Sequence, residues 1–132
     1  MFKFYMCSTP EQYTMCALLQ QSLEGTSSSL GFPTVYGIDS EGNLRGFTST
    51  NTEFGAVISG PTVIDPYFKP RLKYAQEQIK AYEAALRSFG VTEYLFSVDK
   101  VNTKMLQTVE RAGLVPYDED ENSYWYKKST GE

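Results

Sequence analysis

The residues from Arg71 to Phe89 constrain this chain most. Leu72, Ala75, Ile79, Tyr82, Leu86 and Phe89 recur at alternating spacings of three and four. That rhythm lays one apolar stripe along one face of a helix. Lys73, Glu77, Gln78, Lys80, Glu83 and Arg87 fill the other faces. Pro70 stands where a first helical residue is expected, since its fixed φ suits that position and its missing N–H would have no partner there. Gly90 follows the other end, where glycine most easily takes left-handed backbone. Strand-like runs flank the helix on both sides. It therefore reads as a crossover between neighbouring strands of one sheet.

The other elements fall into order around it. Met1–Met6 reads as a short strand, and Pro10–Leu23 as a helix with Ser8 or Thr9 as its N-cap. Tyr13, Cys16, Leu19 and Leu23 form its stripe. Gly25–Pro33 is small and polar and reads as a flexible loop. Thr34–Asp39 and Leu44–Ser49 flank the turn SEGN, a hairpin signature. Ala56–Asp65 is a strand interrupted at Gly60–Pro61, and a proline that cannot donate to a ladder predicts a bulge there. Glu93–Val98 reads as a strand. Thr103–Ala112 reads as a helix, capped by Asn102, stopped by Gly113 and buried through Met105, Leu106 and Val109. Leu114–Asp118 and Ser123–Lys128 form a last hairpin, and residues 129–132 read as a frayed tail. The order is β-α-β-β-β-α-β-α-β-β, in a single domain over residues 1–128.

Composition narrows the function. A chain of 132 residues buries a sizeable core without staples. Ten Tyr, eight Phe and one Trp make that core and any cleft rich in rings. A net charge of −4 argues against general nucleic-acid binding, which needs clustered cations. No apolar run approaches the length of a membrane span. The N-terminus lacks the apolar core and cleavage site of a signal peptide. A cytoplasmic protein with reduced Cys7 and Cys16 is expected, with no nucleic-acid or membrane partner. The sequence has no His, which removes Ser–His and Cys–His nucleophile pairs and His-dependent metal sites. No metal site is read.

Three stretches carry a resemblance. VNTKMLQTVERAGL, Val101–Leu114, opens a helix with Asn102 and ends it with Gly113 and Leu114. TVIDPYFK, Thr62–Lys69, leads from the bulged strand into the long helix. The SEGN hairpin is followed by Leu44–Gly46. In this order the stretches resemble the Gcn5-related N-acetyltransferase (GNAT) family. The resemblance implies a three-layer α/β fold with a mixed, mostly antiparallel sheet. It implies a V-shaped splay between the fourth and fifth strands, and a second helix shortened to a loop. It also implies acetyl-CoA or another acyl-CoA as cofactor, with an amine acceptor, small molecule or protein.

The same likeness assigns cofactor-binding positions to Val63, Ile64, Lys69, Arg71, Leu72, Lys73, Tyr74 and Asn102. Two of these depart from the family pattern. Its phosphate loop places glycines where this chain has Leu72 and Tyr74. Leu72 belongs to the apolar stripe and is expected to turn inward. Tyr74, on another face, is expected to obstruct the phosphate. A third departure is Val109, which stands at the family's usual general-acid tyrosine and has no proton to give.

Each candidate also has a plainer reading. Lys69, Arg71 and Lys73 cluster at a helix start, where the dipole disfavours cations unless an anion compensates. They read equally as a solvated surface cluster. Asn102 reads as an N-cap. Glu53 precedes the bulged strand and reads as a general base acting through water, or as a surface carboxylate. Tyr124 and Tyr126 flank Trp125 and read as an acceptor pocket, a replacement acid, or a half-buried aromatic strand. Asp118–Glu121 reads as an attractor of a cationic amine or as a solvated turn.

Two functions follow. The first is an acyl-CoA-dependent N-acyltransferase. The second is a catalytically silent GNAT-fold interaction or structural protein, acting through a protein partner or as a homo-oligomer. In size and divergence the chain resembles small GNAT-like proteins encoded by bacteriophages. That analogy would place it in a host cytoplasm or a virion.

Overall fold

The computed structural model describes residues 2–131. In chain order the elements are β1 (Lys3–Met6), α1 (Pro10–Glu24), β2 (Val35–Ile38), β3 (Leu44–Glu53), β4 (Ala56–Ile64), α2 (Arg71–Ser88), β5 (Glu93–Asp99), α3 (Thr103–Arg111), β6 (Asp118–Glu119) and β7 (Ser123–Ser129). The order matches the one expected. Met1, placed in the first strand by the sequence, lies outside the described residues.

The strands form one seven-stranded sheet in the order β1-β2-β3-β4-β5-β7-β6. Every neighbouring pair is antiparallel except β4 and β5. α1 lies on one face, packing Cys16, Tyr13 and Leu19 against Tyr36, Phe47 and Val63. α2 covers the other face through Tyr82 and Leu86, against Val35 and Tyr94. α3 packs Val109, Met105 and Leu106 against Val98 and Tyr126. Tyr94, Phe96 and Val98 share one face of β5 by the two-residue period, so α2 and α3 lie on the same side. The result is the mixed, three-layer α/β architecture expected from the sequence.

The helix starts show why the chain turns where it does. Thr9 caps α1: its side chain accepts from the Gln12 N–H, and the Gln12 side chain reaches back to the Thr9 N–H. Asn102 caps α3, accepting from the Met105 N–H at 3.2 Å. α2 begins at Arg71, with Pro70 as its N-cap rather than its first helical residue.

Three expectations are corrected. First, the buried face of α2 keeps Tyr82 and Leu86 of the expected stripe but not its two ends. Tyr74, Gln78, Tyr82, Glu83 and Leu86 are buried, whereas Leu72 is 66% exposed and Phe89 54% exposed. The sheet beneath explains this. Gly37 and Gly46 pair across β2 and β3 and leave room for the Tyr74 ring. A Cβ on Gly37 would lie 2.3 Å from the Tyr74 hydroxyl. Next to them, Thr48 and Thr50 need partners: Gln78 Nε2 donates to Thr48 Oγ1 at 3.0 Å, and the Tyr82 hydroxyl lies 2.7 Å from Thr50 Oγ1. Under the first half of α2 a floor of glycine and threonine selects a large ring and polar heads; Leu86 packs further along, against Val35 and Tyr94.

Second, the tail does not fray at Ser129. Thr130 is 2% exposed, its N–H donates to the Thr92 carbonyl at 3.0 Å, and its hydroxyl donates to the Val91 carbonyl at 2.7 Å. Arg87 of α2 donates to its carbonyl. Glu132 lies outside the described residues. Third, β3 runs on to Glu53 and turns into β4 through Phe54 and Gly55, both at positive φ (52° and 80°). That is the backbone a two-residue hairpin turn requires. The loop before β2 is held by side chains: Gly31 N–H donates to Ser49 Oγ at 2.9 Å, and Thr34 Oγ1 lies 2.7 Å from the same atom.

Candidate functional site

β4 starts as an ordinary partner of β5 and then leaves it. Ile58 and Leu95 are the one matched pair between these strands among the described residues. The departure follows the expected bulge. Thr50 pairs with Ser59 and Thr48 with Thr62, so β4 carries one extra residue at Gly60–Pro61 opposite Ser49. Gly60 takes a φ of 144°, which a side chain would disfavour. Beyond it the two strands splay.

The backbone direction along the splayed arm follows from one bond. Asp65 N–H donates to the Arg45 carbonyl at 2.8 Å, so that residue faces β3. Antiparallel pairing alternates, so Val63 also faces β3, whereas Thr62 and Ile64 turn their N–H and C=O groups the other way, into the gap. Of the two expected positions, Ile64 turns its backbone groups into the gap, whereas Val63 has its side chain 2% exposed in the α1 core and its backbone in the β3 ladder. Thr62, which the sequence reading did not name among the cofactor-binding positions, shares the orientation of Ile64. Its signal was available, since a one-residue bulge inverts the in-and-out parity of every residue after it.

The start of α2 follows the end of this arm. Pro70 offers no side-chain cap, and the first turn holds no acidic residue. The early N–H groups of α2 therefore lie open, as an anion site requires. Lys69, Arg71 and Lys73 are all exposed around it. A groove of about 360 Å³ opens beside them, lined by Phe2, Asp39, Arg45, Phe68, Lys69 and Lys73. Arg45 bridges Asp39 and Asp65, 2.8 Å from each, and lies over the Phe68 ring at 4.7 Å. The Asn43 N–H above all, then Arg45 and the Glu41 N–H, hold the Asp39 carboxyl down at about 2.

Leu72 and Tyr74 exchange their expected places. Leu72 lies on the solvent side of the first turn. Tyr74 is fully buried, edge-on to Phe2 at 5.2 Å and Phe68 at 5.6 Å. Its N–H donates to the Pro70 carbonyl. Its ring is buried on the sheet side and its N–H is used within the helix, so neither reaches the open first turn. Its hydroxyl has no hydrogen-bond partner, and neither does Gln78 Oε1 one turn later. Burial raises the Tyr74 pKa well above the ordinary tyrosine value.

The proton-transfer candidates do not converge on the gap. Glu53 is exposed and pairs with Ala56, four residues along β4 from Gly60, which is about 13 Å of strand. Tyr126 pairs with Phe96 and stacks on its ring at 5.1 Å, on the side of β5 away from β4. Burial raises its pKa, so it keeps its proton at neutral pH. Tyr124 lies under the Lys100 ammonium, 5.1 Å from its ring centre. These two tyrosines line a separate groove of about 570 Å³, with Leu106, Glu110, Leu114 and Pro116. Val109 is buried against Val98 and Tyr126. Asn102 caps α3, its plainer reading. Asp120 accepts from Trp125 Nε1 at 3.0 Å and from the Asn122 and Ser123 N–H groups, so the acidic turn organises its own hairpin. Among the described residues no cluster of three potential metal ligands occurs, and no helix is long and apolar enough to cross a membrane.

No protein-family model and no curated protein sequence matches the chain. Solved structures do. The ribosomal-protein-S18-alanine N-acetyltransferase of Escherichia coli is similar over 100% of this chain and 96% of its own, at 12% identity and a TM-score of 0.74. A GNAT-family acetyltransferase of Bacillus cereus is similar over 100% and 99%, at 12% identity and a TM-score of 0.73. The PaiA N-acetyltransferase of Thermoplasma acidophilum, solved with coenzyme A, matches 91% of this chain and 71% of its own, at 12% identity and a TM-score of 0.64. Sheet order, single parallel junction and full-length superposition agree: the chain has the fold of the Gcn5-related N-acetyltransferases.

Proposed function

We propose that the chain is an acyl-CoA-dependent N-acyltransferase, with acetyl-CoA or another acyl-CoA as donor and a small-molecule or protein amine as acceptor. The observation that carries this reading is the single β4–β5 pair among the described residues, Ile58 beside Leu95, beyond which the two strands are no longer matched. The residues present fit such a cofactor. Thr62 and Ile64 would hold its amide arm, taking the part of a neighbouring strand. The first-turn N–H groups of α2, with Lys69, Arg71 and Lys73, would hold its diphosphate.

When bound, the cofactor supplies an acyl group activated as a thioester. Pro61 has no N–H, so Thr62 offers the first donor past the bulge that points into the gap. It is placed to bind the acyl carbonyl oxygen and stabilise the negative charge that grows there. With Glu53 far along the strand, the proton of the attacking amine passes to water.

The second reading, a catalytically silent interaction or structural protein, is favoured by a different observation. Val109 occupies the place of the family's proton donor, and it is buried. The structures named above lend no support to a bacteriophage origin, and none is proposed.

Thermal unfolding of the full chain with millimolar acetyl-CoA tests the cofactor reading. Binding to the native state raises Tm by mass action, and an unmoved Tm overturns it. Thiol release with a panel of amines separates the two readings. A raised Tm without release supports the silent one.

A further inference from the structure

We propose that Cys7 and Cys16 are a peroxide-reactive pair that closes to an intramolecular disulfide in the folded protein. The inference does not depend on acyl-CoA. The two sulfurs lie 3.9 Å apart in van der Waals contact, and both thiols are free. Cys7 directly follows β1, and its N–H is fixed to the Thr34 carbonyl at 2.8 Å. Cys16 sits on α1, whose start is fixed by the Thr9–Gln12 capping box. The chain has no other cysteine. The pair is thus held together by two anchored elements, not by chance rotamers of a loop.

The environment assigns the order of attack. Cys7 is 5% exposed and Cys16 is fully buried, so a small oxidant meets Cys7 first. The hydrogen bond that the two sulfurs share lowers the Cys7 pKa. The same bond, then burial, raises that of Cys16. The nucleophile and the resolving thiol are therefore distinct.

The chemistry balances with hydrogen peroxide as the oxidant. The Cys7 sulfur attacks one peroxide oxygen and the O–O bond breaks. Hydroxide leaves, takes up the Cys7 proton and becomes water, while Cys7 becomes a sulfenic acid. The Cys16 sulfur then attacks the Cys7 sulfur and the S–O bond breaks. Hydroxide leaves with the Cys16 proton as a second water. The two sulfurs lose two electrons in all, and one peroxide is reduced to two waters. The bond draws the sulfurs together to about 2.05 Å, tying the end of β1 to α1 in the core cluster that also holds Val63 of the splayed arm.

The test treats the native full chain with dilute hydrogen peroxide, quenches it, unfolds it and labels the remaining thiols with iodoacetamide. Both cysteines lie in one tryptic peptide, Phe4–Arg45. The expected result is loss of both labels and a mass lower by about 2 Da in that peptide, reversed by dithiothreitol. In Cys16→Ala, Cys7 has no resolving thiol and is trapped by dimedone as its sulfenic acid. Three outcomes overturn the proposal: both thiols still labelled, thiols lost to sulfonic acid or to cross-linked dimers, or a disulfide that forms only in urea. The wild-type arm needs no variant to fold, so the proposal is decided even if Cys16→Ala fails.

Discussion

Glu83 Oε2 accepts a hydrogen bond from the Tyr94 hydroxyl at 2.7 Å, between α2 and β5. Lys128 of β7 donates to the same oxygen. One residue earlier, Tyr82 reaches Thr50 of β3. α2 is therefore fastened, on its own face, to strands on either side of the β4–β5 junction. Glu83→Ala leaves the Lys128 ammonium and the Tyr94 hydroxyl without their partner. Breaking a buried ion pair costs about 3–5 kcal/mol, and Lys128 is 34% exposed, which reduces this to about 1–3 kcal/mol. Urea unfolding with an unchanged m-value measures it, and a cost below about 0.5 kcal/mol, the size of an ordinary surface change, refutes the brace.

Alkaline pH unfolds the protein through its buried tyrosines. Burial raises Tyr74, Tyr94 and Tyr82 above their ordinary 10.0, with Tyr82 at about 12. Between pH 10 and the folded pKa values the unfolded chain has lost these protons and the native chain keeps them. The native state then binds more protons, so stability falls as pH rises through that window. Tyr82→Phe flattens this slope. Stability unchanged from pH 9 to pH 11 contradicts the assignment.

Tyr74→Phe removes a buried hydroxyl that has no partner. Such a group costs roughly 1–3 kcal/mol, so the variant gains stability up to that amount. Tyr74→Ala instead leaves a cavity among Phe2, Phe4 and Phe68 and loses about 3–5 kcal/mol. Chemical denaturation of both variants decides whether the ring or the hydroxyl matters.

Asp39 protects the β2–β3 hairpin in acid. Its carboxyl, held at about 2 against 3.8 when free, contributes stability above pH 4 that is lost as pH falls through the folded value. The wild type should therefore be more stable than Asp39→Asn at pH 6, and the difference should shrink towards pH 2. A constant difference across that range would place the effect in packing instead.

Thr62→Pro removes one N–H directed into the gap without removing a β3 ladder bond, since that N–H does not face β3. If Thr62 binds the acyl oxygen, turnover falls by about 10²–10³-fold, while the lost Thr62 Oγ1 bond to Thr48 Oγ1 lowers Tm only modestly. Equal losses of Tm and activity would mean that the substitution damaged the sheet.

The order of elements was legible because each depends on local signals: Thr9 and Asn102 as caps, Gly25, Gly90 and Gly113 in left-handed backbone, and Gly60–Pro61 as a bulge. The facing of α2 was not. It depends on Gly37, Gly46, Thr48 and Thr50, which lie on distant strands and meet the helix only after folding. The facing of β4 past the bulge was half legible: Ile64 turns its backbone into the gap, but Thr62 does so in place of Val63, because the bulge shifts parity by one. Tyr124 and Tyr126 read as an acceptor pocket, a replacement acid or a half-buried aromatic strand, and no local pattern tells which side of β5 their strand will take.

The junction at Ile58 and Leu95 makes the sheet two plates that touch at a corner, with one helix as the strap across them. The guest chain proposed to enter between the plates would have no existing ladder to unzip. It would meet amides already facing outward, and the host would give up no bonds of its own.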